Sequence, residues 1–452
     1  MGTKWGVRTA GACLSMGALT SMCLLSTSDR AVARTPSKTT FTIRCGAPRT
    51  CSMTKVQKAV DAAVNGDRVE VDPGTYDGTL NFDGKSIEVT AVKGPTKTIL
   101  DGGGNNSVVI FEKGETTSAV LQGFTVQHGS NLYGGGGIYI GSSSPTIQDD
   151  VIQDNEGCTG GAGVYIDEGS PVIQDNVIGD NVGGTAMGCG GYLSGGGIKS
   201  QNSDASIVGN FIADNTMDAG SGLATDGGAP LIEDNIVIGN SDDGQGGATG
   251  FELDDSQSGT MVIQNLVADN EGTGTDSSAV RIAAVDPITL VSNTIIAESE
   301  YYAVWIDDSS SPPNLVNNIV DGAQVPLGCN STFTVAPYLS HNDVYGASAT
   351  SGACASLLLS QANLSAAPQF SDPTTLDFTE APASPTVDAG ENSDATVPFT
   401  LPSEDLAGDP RIVNGTVDMG AYELQGTSSS SRKEAPGVRC PPQLRWSVRC
   451  AS

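Results

Sequence analysis

The chain has 452 residues, 58 of them glycine, and its 22 basic against 52 acidic side chains give a formal net charge of −30. Between Lys113 and Arg411 the only basic residues are Lys199 and Arg281, which excludes nucleic acid and anionic membranes as partners. The glycines follow no three-residue period, so the chain is no collagen, and 38% hydrophobic residues suit a thin, extended core better than one thick one.

Lys4 and Arg8 precede an uncharged apolar run from Ala10 to Leu25, and Ala31-Val32-Ala33 supplies small residues for cleavage. Residues 1–33 therefore read as a signal peptide for export. No later run is long and apolar enough to span a membrane, and a monomer is the expected state. Beyond Cys13 and Cys23 eight cysteines remain, an even number that favours disulfides in an exported chain. They fall into neighbouring couples, and pairing is expected as Cys45 with Cys51, Cys158 with Cys189, Cys329 with Cys354 and Cys440 with Cys450.

Residues 34–66 read as an N-terminal cap, in which Thr54 to Val64 form a short amphipathic helix stopped at Asn65-Gly66. A repeat follows. Pro145–Asn155, Pro171–Asn181, Ala205–Asn215, Pro230–Asn240 and Thr260–Asn270 align, with fainter copies near Leu121, Pro287 and Pro313. Asp150, Asn176, Asn210, Asn235, Asn265, Asn293 and Asn318 occupy one position, at spacings of 26, 34, 25, 30, 28 and 25. A second motif keeps the same beat, from Gly136-Gly-Ile-Tyr-Ile140 through Ala162-Gly-Val-Tyr-Ile166 to Tyr302-Ala-Val-Trp-Ile306. Each repeat thus holds three short strands separated by Gly, Asn and Asp turns.

A unit this small buries its apolar side chains only by stacking on its neighbours. The expected fold is all-β: a single-stranded right-handed parallel β-helix over residues 67–325, with three strands per coil and about 8–10 coils. A small β-rich module at 326–425 and a Ser-rich linker with a basic tail at 426–452 complete the chain. Asparagine tolerates the left-handed backbone of tight bends, and ladders of stacked amides are expected through Asn176 and Asn181.

Val56–Tyr76, Gly84-Lys-Ser-Ile87 and Thr98–Gly102 resemble the start of secreted pectate-lyase-like β-helix proteins. The Gly-Gly-Ile and Asn repeats are similar to those of polymorphic outer-membrane proteins. Ala383–Gly390, Asp405–Arg411 and Asp418–Glu423 look like the choice-of-anchor Q domain of bacterial surface proteins. These resemblances imply a β-helix at the cell surface or outside the cell.

Alternation along the third strand points Ile138, Val164, Ile198, Leu223, Phe251, Val280 and Val304 inward. An outward column of Tyr139, Tyr165, Lys199, Ala224, Glu252, Arg281 and Trp305 results, beside a second of Gly141, Asp167, Gln201, Asp226, Asp254, Ala283 and Asp307. Both mid-chain cations share the first column. In a polysaccharide groove Tyr139, Tyr165 and Trp305 would stack on sugar faces. The leading expectation is a carbohydrate-interacting or structural protein without turnover, its partner a polysaccharide or another cell-surface component. The alternative is a lyase cleaving a uronate glycan by β-elimination. Asp226 and Asp254 would then bind Ca²⁺, Lys199 or Arg281 would act as base, and Glu252 would complete the catalytic patch. A glycoside hydrolase using two of these carboxylates is a third possibility. His128 stands at a coil's turn and His341 in the C-terminal module. Asp154, Asp180, Asp214 and Asp269 stack like charges in neighbouring coils, a repulsion relieved by surface Ca²⁺ or tolerated for solubility.

Overall fold

Runs of three or four alternating residues that recur once per repeat leave each strand a single geometric option, which is to pair with its equivalent one coil away. The computed structural model describes residues 38–426, except 46–49, 159, 184–188, 190–192, 243–246, 308–310, 323, 331–335, 349, 353 and 355–360. The proposed signal peptide, the basic tail and the Cys440/Cys450 couple lie outside the described residues.

The strands stack into three long parallel faces. The first runs from Thr40–Ile43 to Tyr338–Ser340 and the second from Thr50–Ser52 to Asp343–Gly346, each with twelve strands. The third runs from Leu80–Asn81 to Val325–Cys329 with ten. The fold is the right-handed parallel β-helix, longer than the expected eight to ten coils because its ladders begin at residue 40 and continue past residue 325. It also has a fourth element. Ser130–Asn131, Glu156–Gly157, Val182–Gly183, Thr216–Met217 and Ser241–Asp242 form a five-stranded ladder between the second and third faces. Pairs of residues are too short to reveal a period of two, so the sequence hides them.

The core is a set of single-file columns. On the first face Leu121, Ile147, Ile173, Ile207 and Ile232 stack in register and are fully buried, each contributing roughly 1.5–3 kcal/mol of burial. Helix α1 (Met53–Ala62) closes the upstream end, burying Met53, Val56, Ala59 and Val60 against it. Ser52 caps its start by accepting from the Thr54 amide at 3.2 Å. Lys85 Nζ caps its end by donating to the carbonyls of Val60, Asp61 and Ala63 at 2.7, 2.5 and 2.8 Å.

Both amide ladders are present. Asn176, Asn210, Asn235 and Asn265 each donate Nδ2 to the next Asn Oδ1 at 2.9 or 3.0 Å, and the second ladder links Asn155, Asn181, Asn215 and Asn240 in the same way. The residue before each ladder position turns the chain with a left-handed backbone. Asp149, Asp175 and Asp234 have φ of 56° and Asp154, Asp180 and Asp214 lie at 53–57°. His128 (φ 54°) and His341 (φ 52°) occupy the same kind of bend. Short polar side chains tolerate this region, and His shares that tolerance. Both histidines are thereby accounted for by backbone geometry, and each meets a carboxylate: His128 Nδ1 lies 2.9 Å from Asp101 and His341 Nδ1 3.2 Å from Glu391.

Cys45–Cys51, Cys158–Cys189 and Cys329–Cys354 are disulfides, as their neighbouring positions lead one to expect. After the last coil the chain doubles back over the second face. An antiparallel pair, Phe370–Asp372 with Asp377–Glu380, brings Leu376 and Phe378 with Ala421 and Tyr422 onto Val151, Val177, Phe211 and Leu266. The Ala421 amide donates to Thr294 Oγ1 at 2.9 Å and the Gly420 amide to the Asn317 carbonyl at 2.7 Å. The fully buried Arg411 ties this segment together by donating to the carbonyls of Tyr422, Asp418 and Gly420.

Candidate functional site

The register of the third face is the one alternation predicts. Tyr139, Tyr165, Lys199, Ala224, Glu252, Arg281 and Trp305 are paired successively, and Gly141, Asp167, Gln201, Asp226, Asp254 and Ala283 run beside them. Adjacent coils are spaced about 4.8 Å apart, so Tyr139 and Trp305 bracket roughly 29 Å of surface.

The middle of the first column is not open, although alternation points it outward. Tyr165, Lys199 and Glu252 are 8%, 8% and 1% exposed, and Ala224 is fully covered. The cover is the chain leading into each strand. Gly161, Gly195 and Gly220 take left-handed φ of 62°, 81° and 51° and lie so close that an added Cβ would stand 2.7–2.8 Å from the Cβ of Tyr165, Lys199 and Ala224 respectively. Only glycine allows the chain to fold this tightly over the column. The buried Tyr165 hydroxyl donates to Gln201 Oε1 at 2.6 Å. Burial, with Asp167 adding to it, pushes its pKa up to about 12.

Both cations are engaged. Lys199 Nζ donates to Ser194 Oγ at 2.7 Å and lies 3.7 Å from Asp226. Arg281 Nη1 donates to Glu252 at 2.8 Å and to both oxygens of Asp254 at 2.9 and 3.2 Å, while Nη2 donates to Asp307 at 2.6 Å. Burial pushes the Asp254 carboxyl above the usual range, with Arg281 offsetting only part of it. Among the described residues no group of three or more His, Cys, Asp or Glu is placed to hold a metal ion. Asp226 faces Lys199 at 3.7 Å and Asp254 accepts from Arg281 through both its oxygens, and each keeps part of its carboxylate exposed.

What remains accessible is a strip along the second column with an aromatic shelf at its downstream end. Asp226, Asp254 and Asp307 keep 42%, 31% and 30% of their side chains exposed. At the shelf the rings of Tyr301 and Tyr302 lie 4.7 Å apart, as do those of Tyr302 and Trp305, and all three residues are half-buried. Gly328 follows Trp305 in the column and leaves room for it, because a Cβ there would stand 2.7 Å from the Trp305 ring. At the upstream end Tyr139 and Tyr165 rings are 6.0 Å apart, and Tyr133 is 83% exposed. Alternation misses Tyr133, Tyr301 and Tyr302 because they stand in or beside the connecting segments. In a chain with 5% aromatics, three of them between residues 301 and 305 are the signal that finds the shelf.

Residues 136–343 match the family described as the right handed beta helix region. No curated protein matches the chain. Among solved structures, the pectate lyase Pel9A shares 13% identity over 81% of this chain and 90% of its own, with a TM-score of 0.49. The XylC complex with xylose shares 11% over 80% of this chain and 66% of its own, at 0.41. Geobacillus virus E2 ORF18 shares 11% over 68% and 62%, at 0.26.

Proposed function

We propose that this is an exported β-helix protein of the cell surface or exterior that binds polysaccharide along its third face without turning it over. The observation that carries this reading is the shelf of Tyr301, Tyr302 and Trp305, whose rings sit partly exposed beside a strip of carboxylates. Flat rings next to hydrogen-bonding groups suit a sugar, which offers an apolar face and a rim of hydroxyls. Three disulfides and the signal-like N-terminus support export, and the anchor-like motifs near the C-terminus support retention at the surface.

Turnover by elimination would need Lys199 or Arg281 to accept a proton. A guanidinium gripped by three carboxylates is a structural cation, and the Lys199 ammonium is covered and already donating to Ser194. Neither is poised as a base.

Affinity electrophoresis through gels containing polysaccharides tests the proposal, with ultraviolet absorbance and reducing-end assays run in parallel. The wild type should be retarded and Trp305→Ala should bind about tenfold more weakly or worse, with an unchanged melting temperature. Formation of unsaturated or newly reducing ends would overturn the absence of turnover. A wild type retarded by no polysaccharide would overturn binding itself.

A further inference from the structure

Taking the third face as a glycan-binding surface, we infer that its ligand is a neutral, hydroxyl-rich polysaccharide and not a polyuronate. The charge around the strip carries this. Two cations, Lys199 and Arg281, stand among five carboxylates, Asp167, Asp226, Glu252, Asp254 and Asp307, in adjoining coils. The cations are already spent on those carboxylates, at 3.7 Å for Lys199 and 2.6–2.9 Å for Arg281. No other Lys or Arg occurs between residues 113 and 411.

A uronate chain would bring one carboxylate per sugar against this surplus, within the screening length of about 8 Å at physiological salt. Like charges facing each other across an interface discriminate strongly against the wrong partner. A sugar hydroxyl donates instead, and a donor meeting an ionised carboxylate makes one of the stronger hydrogen bonds available. The exposed oxygens of Asp226, Asp254 and Asp307 thus read as acceptors for hydroxyls, and the Tyr302–Trp305 shelf holds the ring face.

The test compares glucomannan, galactomannan and mixed-linkage glucan with polygalacturonate and alginate, by affinity electrophoresis of the full protein at low ionic strength with a chelator. Neutral glycans should bind about tenfold tighter or more than the polyuronates, and the gap should narrow as salt is added. Asp226→Asn, which removes one exposed charge outside the Arg281 cluster, should narrow it several-fold. Equal or tighter binding of a polyuronate under chelator overturns the inference and leaves the glycan-binding reading standing. An Asp226→Asn variant that discriminates as sharply as the wild type also overturns it. Absence of binding to either class defeats the binding reading, and this inference with it.

Discussion

Asp150 stands where the first ladder wants an asparagine. One coil upstream the equivalent residue is the buried Phe124, so Asp150 ends the ladder. It accepts from the Phe124 amide at 2.7 Å through Oδ1, and its own amide donates to Asn176 Oδ1 at 3.0 Å. Its second oxygen, Oδ2, is buried without a hydrogen-bond partner. In Asn176 and Asn210 the corresponding Nδ2 donates to the Ile147 and Ile173 carbonyls at 3.0 and 2.8 Å. Burial, reinforced by Asp149, raises the Asp150 carboxyl well above its ordinary pKa. A raised folded-state pKa contributes stability that is fully present below the unfolded value of about 3.9 and is lost as the pH climbs through the folded value. Asp150→Asn keeps the shape, supplies the missing donor and carries no charge at any pH. Relieving one buried unsatisfied group is worth about 1–3 kcal/mol, which for a chain this long is an increase in Tm of about 1–4 °C. Scanning calorimetry at pH 8 and pH 4.5 measures it. The gain should be present at pH 8 and shrink toward zero at pH 4.5. An equal gain at both values, or no gain at pH 8, would refute the argument that the Asp150 charge is what the fold resists.

The same sign applies more widely. Burial pushes Asp180, Asp234, Asp321 and Asp343 up to about 6 and Glu300 and Glu423 up to about 7, while the Val64 and Thr39 amides hold Asp67 below its usual value. The wild-type Tm should therefore rise as the pH falls from 8 to 5 and drop only below about 4; melts across that range check it, and a Tm rising toward pH 8 contradicts it. Phe378 is 2% exposed and packs against the second face and Phe370. Phe378→Ala should cost about 3–5 kcal/mol and loosen the C-terminal segment before the coil, seen as faster proteolysis within residues 361–426 with the β circular dichroism retained.

The stacking of side chains on the third face could be read from the sequence because it needs only alternation and a recurring motif, and both survive spacings of 25 to 34 residues. Tyr165, Lys199 and Glu252 fall in the column that alternation assigns them. Their burial could not be read the same way. It depends on how far Gly161, Gly195 and Gly220 let connecting segments of unequal length lean over the strand, and no periodicity records that distance. In the row Asp154, Asp180, Asp214, burial and the two neighbouring carboxylates raise Asp180 to about 6, a shift that the like charges of the row foretell in direction and the burial of Asp180, invisible to alternation, enlarges. The docked C-terminal segment, by contrast, had a visible sign. Outward positions on the second face are Val151, Val177, Phe211, Ile236 and Leu266, an apolar stripe that would be costly to leave in water. Outward positions on the third face carry Asp167, Asp226, Asp254 and Asp307, and there the strip stays accessible. One face is apolar and covered by the chain itself; the other is acidic and free to meet a ligand. That difference in outward composition, more than the inward columns the faces share, is what supports the binding surface proposed for the third.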